Sequence, residues 1–212
     1  MTLTSQPEAF ILAGGASSRM GREKALLELG GVPILMRLAD VAGSVASQVT
    51  VIGPPDRFVE IALRVIGDDE PGLGPLGGIA TALRHSQAEW NLVLSCDLPF
   101  LNAAWLGYLA YRAKHSAADA LLPQSEQGYP EPLCAMYHTR AHATIAQALA
   151  AGVRKVTDGL AGLQVEAVPA GEWQRFDSQG LLFKNMNAPE DYEQARALFS
   201  RGNAEMWLTG KQ

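Results

Sequence analysis

The segment Phe10 to Lys24 reads F-I-L-A-G-G-A-S-S-R-M-G-R-E-K. Its opening, Phe10 to Ala13, is an apolar run of a length that suits a buried strand. The run breaks into Gly14-Gly15, two hydroxyl residues (Ser17 and Ser18), Arg19, Gly21 and Lys24. Glycine lets a ligand lie directly against the backbone. Successive free N–H groups in such a loop form a concave nest for anions. Arg19 adds a planar fork and Lys24 a point charge, both suited to phosphate. A strand followed by this loop reads as a phosphate or nucleotide cradle. It is not the P-loop, because no glycine precedes Lys24 and Ala25 follows it. It is not the dinucleotide fingerprint either, because the spacing of Gly14, Gly15 and Gly21 does not match G-x-G-x-x-G.

Working outward, apolar runs alternate with helix-like stretches, which predicts an α/β domain with a mostly parallel sheet. Strands are expected at residues 9–13, 48–52, 64–66, 91–95, 118–122, 133–137, 165–168 and 182–185. Helices are expected at 34–45, 76–84, 103–114, 141–150 and 189–199, the last opening on Pro189, Glu190 and Asp191 as an acidic first turn. No repeat or low-complexity linker interrupts this order, so the 212 residues are expected to form one domain, with its core at about 8–199 and a weakly patterned tail beyond.

Composition excludes several classes. The chain is 48% hydrophobic and 18% charged, enough apolar content for a core and against intrinsic disorder. Its net charge is −5 and no basic run appears, which argues against a nucleic-acid binder. No apolar run approaches the ~20 residues of a membrane helix. The polar N-terminus lacks a basic n-region, so no secretory signal is expected and the location reads as cytoplasmic. Cys96 and Cys134 lie in apolar surroundings, match no metal spacing and are expected to be buried thiols.

Open α/β sheets bind ligands at the carboxyl ends of their strands. Gly14, Asp68, Asp97 and Asn187 each follow an expected strand, so all four are expected at one edge. Asp97, in L-V-L-S-C-D-L-P, is a hard anion at a strand end and a natural ligand for Mg²⁺, which favours one or two carboxylates with phosphate oxygens. Asn102 is the better-placed cap for the following helix. Residues 67–79, G-D-D-E-P-G-L-G-P-L-G-G-I, form a loop whose exposed backbone can read a flat heterocycle, with Asp68 able to accept from ribose hydroxyls. In K-N-M-N-A-P-E-D, Asn187 can offer an oxygen to a metal or an amide to phosphate, or simply start a helix. The loop from Gly128 to His138 suits the wall of a second-substrate pocket. Arg154-Lys155 is a basic pair fit for an acidic second substrate or for plain solvent exposure. His138 and His142, four apart without an acidic or Cys partner, read as a helix-surface pair rather than a metal site.

Taken together, L-A-G-G-A-S-S-R-M-G-x-x-K from Leu12, D-x-x-P-G-x-G-P-L-G-G from Asp68, C-D-L-P at residues 96–99 and N-M-N-A-P-E-D from Asn185 resemble the molybdenum cofactor guanylyltransferases, the MobA family of nucleotidyltransferases. The resemblance runs from about Ala9 to Phe199. It implies a three-layer α/β/α Rossmann-like fold and transfer of GMP from Mg²⁺·GTP to molybdopterin carrying its molybdenum, releasing pyrophosphate. It implies that Leu12, Ala13, Gly14 and Gly15 hold the guanosine and phosphates, that Arg19 and Lys24 grip the triphosphate, and that Asp68 contacts the nucleoside. Leu76 and Gly77 would line the guanine, Asp97 would bind Mg²⁺ with Asn187 as helper, and Arg154-Lys155 would face molybdopterin. Its partners would be GTP, molybdopterin, and transiently a molybdopterin-insertion protein or molybdoenzyme. Two departures stand out. Glu23 precedes the motif lysine where the family usually has Asp, and the second strand ends in Ile52-Gly53 where many members have Asn. Close alternatives are a molybdopterin cytidylyltransferase or another small-molecule nucleotidylyltransferase, both of which tend towards L-A-A-G at the first motif. A non-catalytic nucleotide-binding regulator would be expected to lack Lys24 or Asp97.

Overall fold

Alternation along the first strand sets the layering. In β1 (Glu8–Leu12) Ala9 and Ile11 enter one apolar cluster, while Phe10 and Leu12 enter another. A strand with apolar side chains on both faces must be covered on both faces. The computed structural model describes residues 6–14 and 24–201, and within them two helical layers supply that cover.

From Lys24 onward the next sheet is a small antiparallel pair, β2 (Glu28–Leu29) and β3 (Val32–Pro33), turned at Gly30-Gly31, both with positive φ. Then follow α1 (Ile34–Gly43), β4 (Val49–Ile52), β5 (Arg64–Ile66), α2 (Gly74–His85), β6 (Trp90–Ser95) and α3 (Ala103–Lys114). The second half holds β7 (Ala120–Pro123), β8 (Cys134–His138), α4 (His142–Ala150), α5 (Val156–Gly159), β9 (Val165–Val168), α6 (Ala170–Trp173) and α7 (Pro189–Arg201). The main sheet has seven strands in the order β5-β4-β1-β6-β8-β7-β9. Only β8 runs antiparallel to its neighbours. One face is packed by Leu35 and Leu38 of α1, Trp105 and Leu109 of α3, and Phe199 of α7. The other is packed by Leu76 and Ile79 of α2, Ile145 of α4 and Leu160.

The expected α/β/α sandwich is therefore the fold, and seven of the eight expected strands form within a few residues of their bounds. The eighth, at 182–185, does not. Leu182 and Met186 are buried as the apolar pattern requires, but the amides of Leu181 and Leu182 donate to the Asp177 carboxylate at 2.9 Å. With those donors occupied and a turn closed from the Lys184 amide to the Leu181 carbonyl, no ladder forms. The His138/His142 reading also fails. His138 ends β8 rather than lying on a helix, is buried, stands 3.2 Å from Glu89 and accepts from the Arg140 amide. Of the expected tail, residues 200–201 belong to α7 and 202–212 lie outside the described residues.

Candidate active site

Because β8 alone is reversed, the carboxyl ends of β1, β4, β5, β6, β7 and β9 share one edge with the start of β8. Backbone bonds knit that edge. The Ala13 amide donates to the Ile52 carbonyl at 2.8 Å, and the Cys96 amide donates to the Leu12 carbonyl at 3.3 Å. Asp97 thus emerges directly beside the end of β1.

Gly14 and Asp68 meet there. A Cβ placed on Gly14 would lie 3.2 Å from Asp68 Oδ2 and 3.7 Å from Gly53 Cα. Close approach, not backbone torsion, is what calls for glycine at position 14. Gly53 is held equally tightly: its amide donates to the Ile66 carbonyl at 3.0 Å, and a Cβ on it would stand 3.1 Å from both Ala13 and Phe58. Any side chain at Gly53 would therefore crowd Ala13 and Phe58, and glycine at this departure from the family pattern suits the local packing. Burial, reinforced by the neighbouring Asp69 charge, pushes the Asp68 carboxyl above the ordinary aspartate range.

Lys24 opens a short 3₁₀ turn, Lys24–Leu26, and its Nζ donates to Asn187 Oδ1 at 3.2 Å across 163 residues. Asn187 is itself set by Asp191, whose Oδ2 accepts from the Asn187 and Ala188 amides at 2.9 and 2.8 Å. Those amides, Ala188 foremost, hold the Asp191 carboxyl below its ordinary range, with Lys184 and Lys24 adding to the effect. The next link is to Asp97: the Met186 amide donates to the Asp97 carbonyl at 2.9 Å. The last turn therefore reaches the edge without a strand to carry it. It brings Lys24, Asn187 and Asp97 into one neighbourhood. Asn187 Oδ1 accepts from Lys24 here rather than facing outward as a lone ligand atom.

Asp97 lies two residues past β6, and Asn102 caps α3 by accepting from the Trp105 amide at 2.9 Å, so Asp97 is not spent as a cap. Sequence reasoning named the loop opposite it but not its carboxylate. Leu94 pairs with Cys134, and the Ser95 amide donates to the Leu133 carbonyl at 2.8 Å. The same antiparallel register carries Glu131 opposite Asp97. Burial first, and then the Asp97 charge, raise the Glu131 carboxyl above its usual range. The hairpin is pinned by the Glu131 amide to the Pro123 carbonyl at 2.8 Å and the Ser125 amide to the Tyr129 carbonyl at 2.7 Å. An acidic residue in a Pro-flanked loop entering an antiparallel strand was the available signal; the strand's direction was the missing piece.

The remaining expected contacts fall differently. Gly15 and Arg19 lie outside the described residues, as does Glu23. Leu76 and Gly77 are buried in the first turn of α2, where Leu76 packs so closely that a Cβ on Gly159 would come within 2.5 Å of it. A Cβ on Gly77 would lie 2.6 Å from Leu73 Cβ, so the start of the helix packs against the end of the preceding loop. Arg154 and Lys155 lie between α4 and α5. Arg154 donates to the Leu149 and Val153 carbonyls at 3.0 and 2.9 Å, and Lys155 stands 3.4 Å from Asp158, so both are engaged locally. No group of three or more His, Cys, Asp or Glu among the described residues is arranged to hold a metal. Mg²⁺ bound through substrate phosphates does not need one, and the hard oxygens of Asp97 and Glu131 fit that mode. Cys134 is buried as expected and its thiol is pushed up to about 12, which makes it inert, whereas Cys96, at the mouth of the site beside Asp97, is only partly buried; the two form no disulfide.

Residues 9–165 match the model of the MobA-like NTP transferase domain. The chain belongs to this family. It is 36% identical over 193 residues to a protein from Synechococcus elongatus named probable molybdenum cofactor guanylyltransferase, covering 87% of this chain and 95% of the relative. A protein of the same name from Carboxydothermus hydrogenoformans is 33% identical over 190 residues, covering 90% and 95%. Among solved structures, molybdopterin-guanine dinucleotide biosynthesis protein A from Archaeoglobus fulgidus superposes with a TM-score of 0.81 at 28% identity, over 92% of this chain and all of that one. A nucleotidyl transferase from Methanothermobacter, at 18% identity and a TM-score of 0.71, shares the fold. This member of the MobA-like family is accordingly a nucleotidyltransferase, and no helix among its described residues is long and apolar enough to cross a membrane.

Proposed function

We propose that this enzyme transfers GMP from Mg²⁺·GTP to the terminal phosphate of molybdopterin carrying its molybdenum, giving the molybdenum-bearing molybdopterin guanine dinucleotide and pyrophosphate. The observation that carries the reading is the meeting at one sheet edge of a backbone floor at Gly14 beside Asp68, a cation at Lys24 steadied by Asn187, and Asp97. The names of the relatives supply the substrate classes.

The chemistry suits these groups. A molybdopterin phosphate oxygen attacks the α-phosphorus of GTP, a new P–O bond forms, and the bond to the leaving pyrophosphate breaks. The nucleophile is already anionic near neutral pH, so no general base is required. The protein's task is to align two polyanions that repel each other, and to stabilise charge that grows on the leaving group. Gly14 admits the nucleotide against the backbone, and Asp68 accepts from its sugar. Lys24 meets the triphosphate, joined by Arg19. Asp97, with Glu131 opposite, would hold Mg²⁺, which when bound supplies further charge neutralisation at the phosphates. Arg154 and Lys155 are the proposed cationic approach for molybdopterin.

Calorimetric titration with GTP, CTP, ATP and UTP, with and without Mg²⁺, tests the reading. The expected result is preference for GTP, weakened without Mg²⁺. In turnover assays Asp97→Ala is expected to lose about 100-fold or more in kcat, the scale of removing a key electrostatic group, with a far smaller loss in nucleotide binding. Preference for CTP would transfer the base assignment to a cytidylyltransferase. Absence of nucleotide binding, or an unchanged kcat for Asp97→Ala, would overturn the proposal.

A further inference from the structure

Beside Asp68 stands a second carboxylate that does not face the site. The Asp69 amide donates to Thr81 Oγ1 at 3.2 Å, and Thr81 is buried in the body of α2. Asp69 Oδ1 lies 2.9 Å from His85 Nε2, and Oδ2 lies 3.3 Å from Arg84 Nη1. Asp69 is therefore fastened to α2 at three points, one through its backbone and two through its side chain. Both carboxylate oxygens are occupied by the last turn of the helix, so Asp69 is not itself placed to contact a nucleotide.

The surrounding sequence explains why such a fastening is useful. Between Asp69 and the body of α2 the chain passes Gly72 and Gly74, with φ of 87° and 68°. Glycines in that region give the loop its shape but add conformational freedom that must be restrained. A carboxylate near the C-terminus of a helix is disfavoured by the helix dipole. Arg84 at that terminus offsets this with its charge, and His85 with a hydrogen bond to the carboxylate. One residue upstream, the half-buried Asp68 carboxyl stands where a Cβ on Gly14 would come within 3.2 Å of its Oδ2, so its position bears directly on the space left above Gly14.

We infer that Asp69 is a positioning residue for the nucleotide: its clasp on Thr81, Arg84 and His85 holds the Asp68 carboxylate at the nucleoside. This rests on the nucleotidyl-transfer reading above and adds a residue that acts only through its neighbour. Because the clasp works on bound nucleotide before any bond changes, its loss should appear in affinity and not in the chemical step.

The test compares wild type, Asp69→Ala and the double variant Arg84→Ala/His85→Ala, which leaves Asp69 in place and breaks the clasp from the helix side. GTP affinity is read by calorimetry, KM and kcat by steady-state assay, and folding by thermal melts. Expected is a rise in Kd and KM for GTP of about five- to tenfold in both variants, the usual scale for coupled neighbours, with kcat at saturating GTP within about twofold of wild type. If Asp69→Ala fails to fold, the double variant carries the comparison. Unchanged GTP affinity in the folded variants would overturn the inference. So would a fall in melting temperature and kcat with KM unchanged, which is the signature of a purely structural role. Wild type that binds no nucleotide would overturn the functional proposal and this inference together. Wild type that binds CTP instead would overturn only the base assignment, and the same comparison made with CTP would still judge Asp69.

Discussion

Asp68 carries a conflict that a single substitution exposes. Its folded-state pKa is raised, by burial first and by Asp69 second, so the native state holds the proton more tightly than the unfolded chain does. The sign follows from linkage: stability from this group is fully present below the unfolded value of about 3.9 and is lost as pH rises through the folded value. Near pH 7 the wild type therefore carries the whole cost of a half-buried charge. Without nucleotide, Asp68→Asn is expected to melt above wild type at pH 7, with the difference closing as pH falls towards 4. The same variant should bind GTP more weakly. Melting curves at the two pH values check the first half and titration the second; a variant that melts lower at pH 7 would contradict the burial argument. Lys24 and Asn187 allow a second test. Removing one exposed hydrogen bond to a cation is worth about 0.5–1.5 kcal/mol, so Asn187→Ala should weaken GTP about two- to tenfold. In a Lys24→Ala background the same change should have little further effect, because the cation it steadies is gone.

The α2 element shows where a helix is held by what it lacks. A Cβ on Gly77 would stand 2.6 Å from Leu73 Cβ, an atom fixed to the backbone and unable to swing aside. Alanine would gain about 1 kcal/mol of helix propensity, whereas overpacking costs about 1–3 kcal/mol. Because the clash is with a Cβ, the cost takes the upper end, and Gly77→Ala should lose about 1–2 kcal/mol, roughly 3–6 °C in Tm for a chain of this size. Gly107→Ala in α3 is the control, since only Val45 lies nearby, at 3.8 Å; it should be neutral or stabilising. Differential scanning fluorimetry on both variants decides the matter. Element by element, the sequence was most legible where one physical signal dominated. β1 and β6 are continuous apolar runs because both faces are covered, α3 was bounded correctly at both ends, and α7 at its start. Legibility failed where direction or competition mattered. Residues in β8 carry nothing that states an antiparallel course, yet that course is what sets Glu131 against Asp97. Residues 182–185 look like a strand, but the Leu181 and Leu182 amides go to Asp177 and the Lys184 amide closes a turn on Leu181. The β2–β3 pair was missed although Gly30-Gly31 is a recognised hairpin signal, because two-residue strands carry almost no alternation.

At the scale of the whole molecule, the active edge is assembled from segments that no shorter piece of the chain contains. Lys24 needs Asn187, Asp97 needs the chain at Met186, and Asp68 needs Gly14. The same long-range economy holds the body together. Arg37 of α1 donates to the Leu29 carbonyl at 2.7 Å and lies 4.6 Å over the ring of Phe199, joining the first hairpin to the last helix. Arg112 of α3 bridges Glu166 of β9 and Glu172 of α6. One sheet runs through both halves, from β5 at one margin to β9 at the other. These links tie the described elements to one another across the sheet, so we propose that the chain is a single cooperative domain. Calorimetric unfolding should show one transition, with the calorimetric enthalpy equal to the van't Hoff enthalpy. Phe199→Ala sharpens the test, since removing a buried phenyl costs about 3–5 kcal/mol. In a one-domain molecule that loss lowers the single transition as a whole, by about 6–20 °C, including signals reported from the distant Trp90. Two separate transitions, or a Trp90 signal that stays in place while another moves, would divide the chain into independent units and refute the single-domain assignment. Under a single transition, weakened α7 packing should also weaken GTP binding, because the turn that α7 begins from is the one that steadies Lys24.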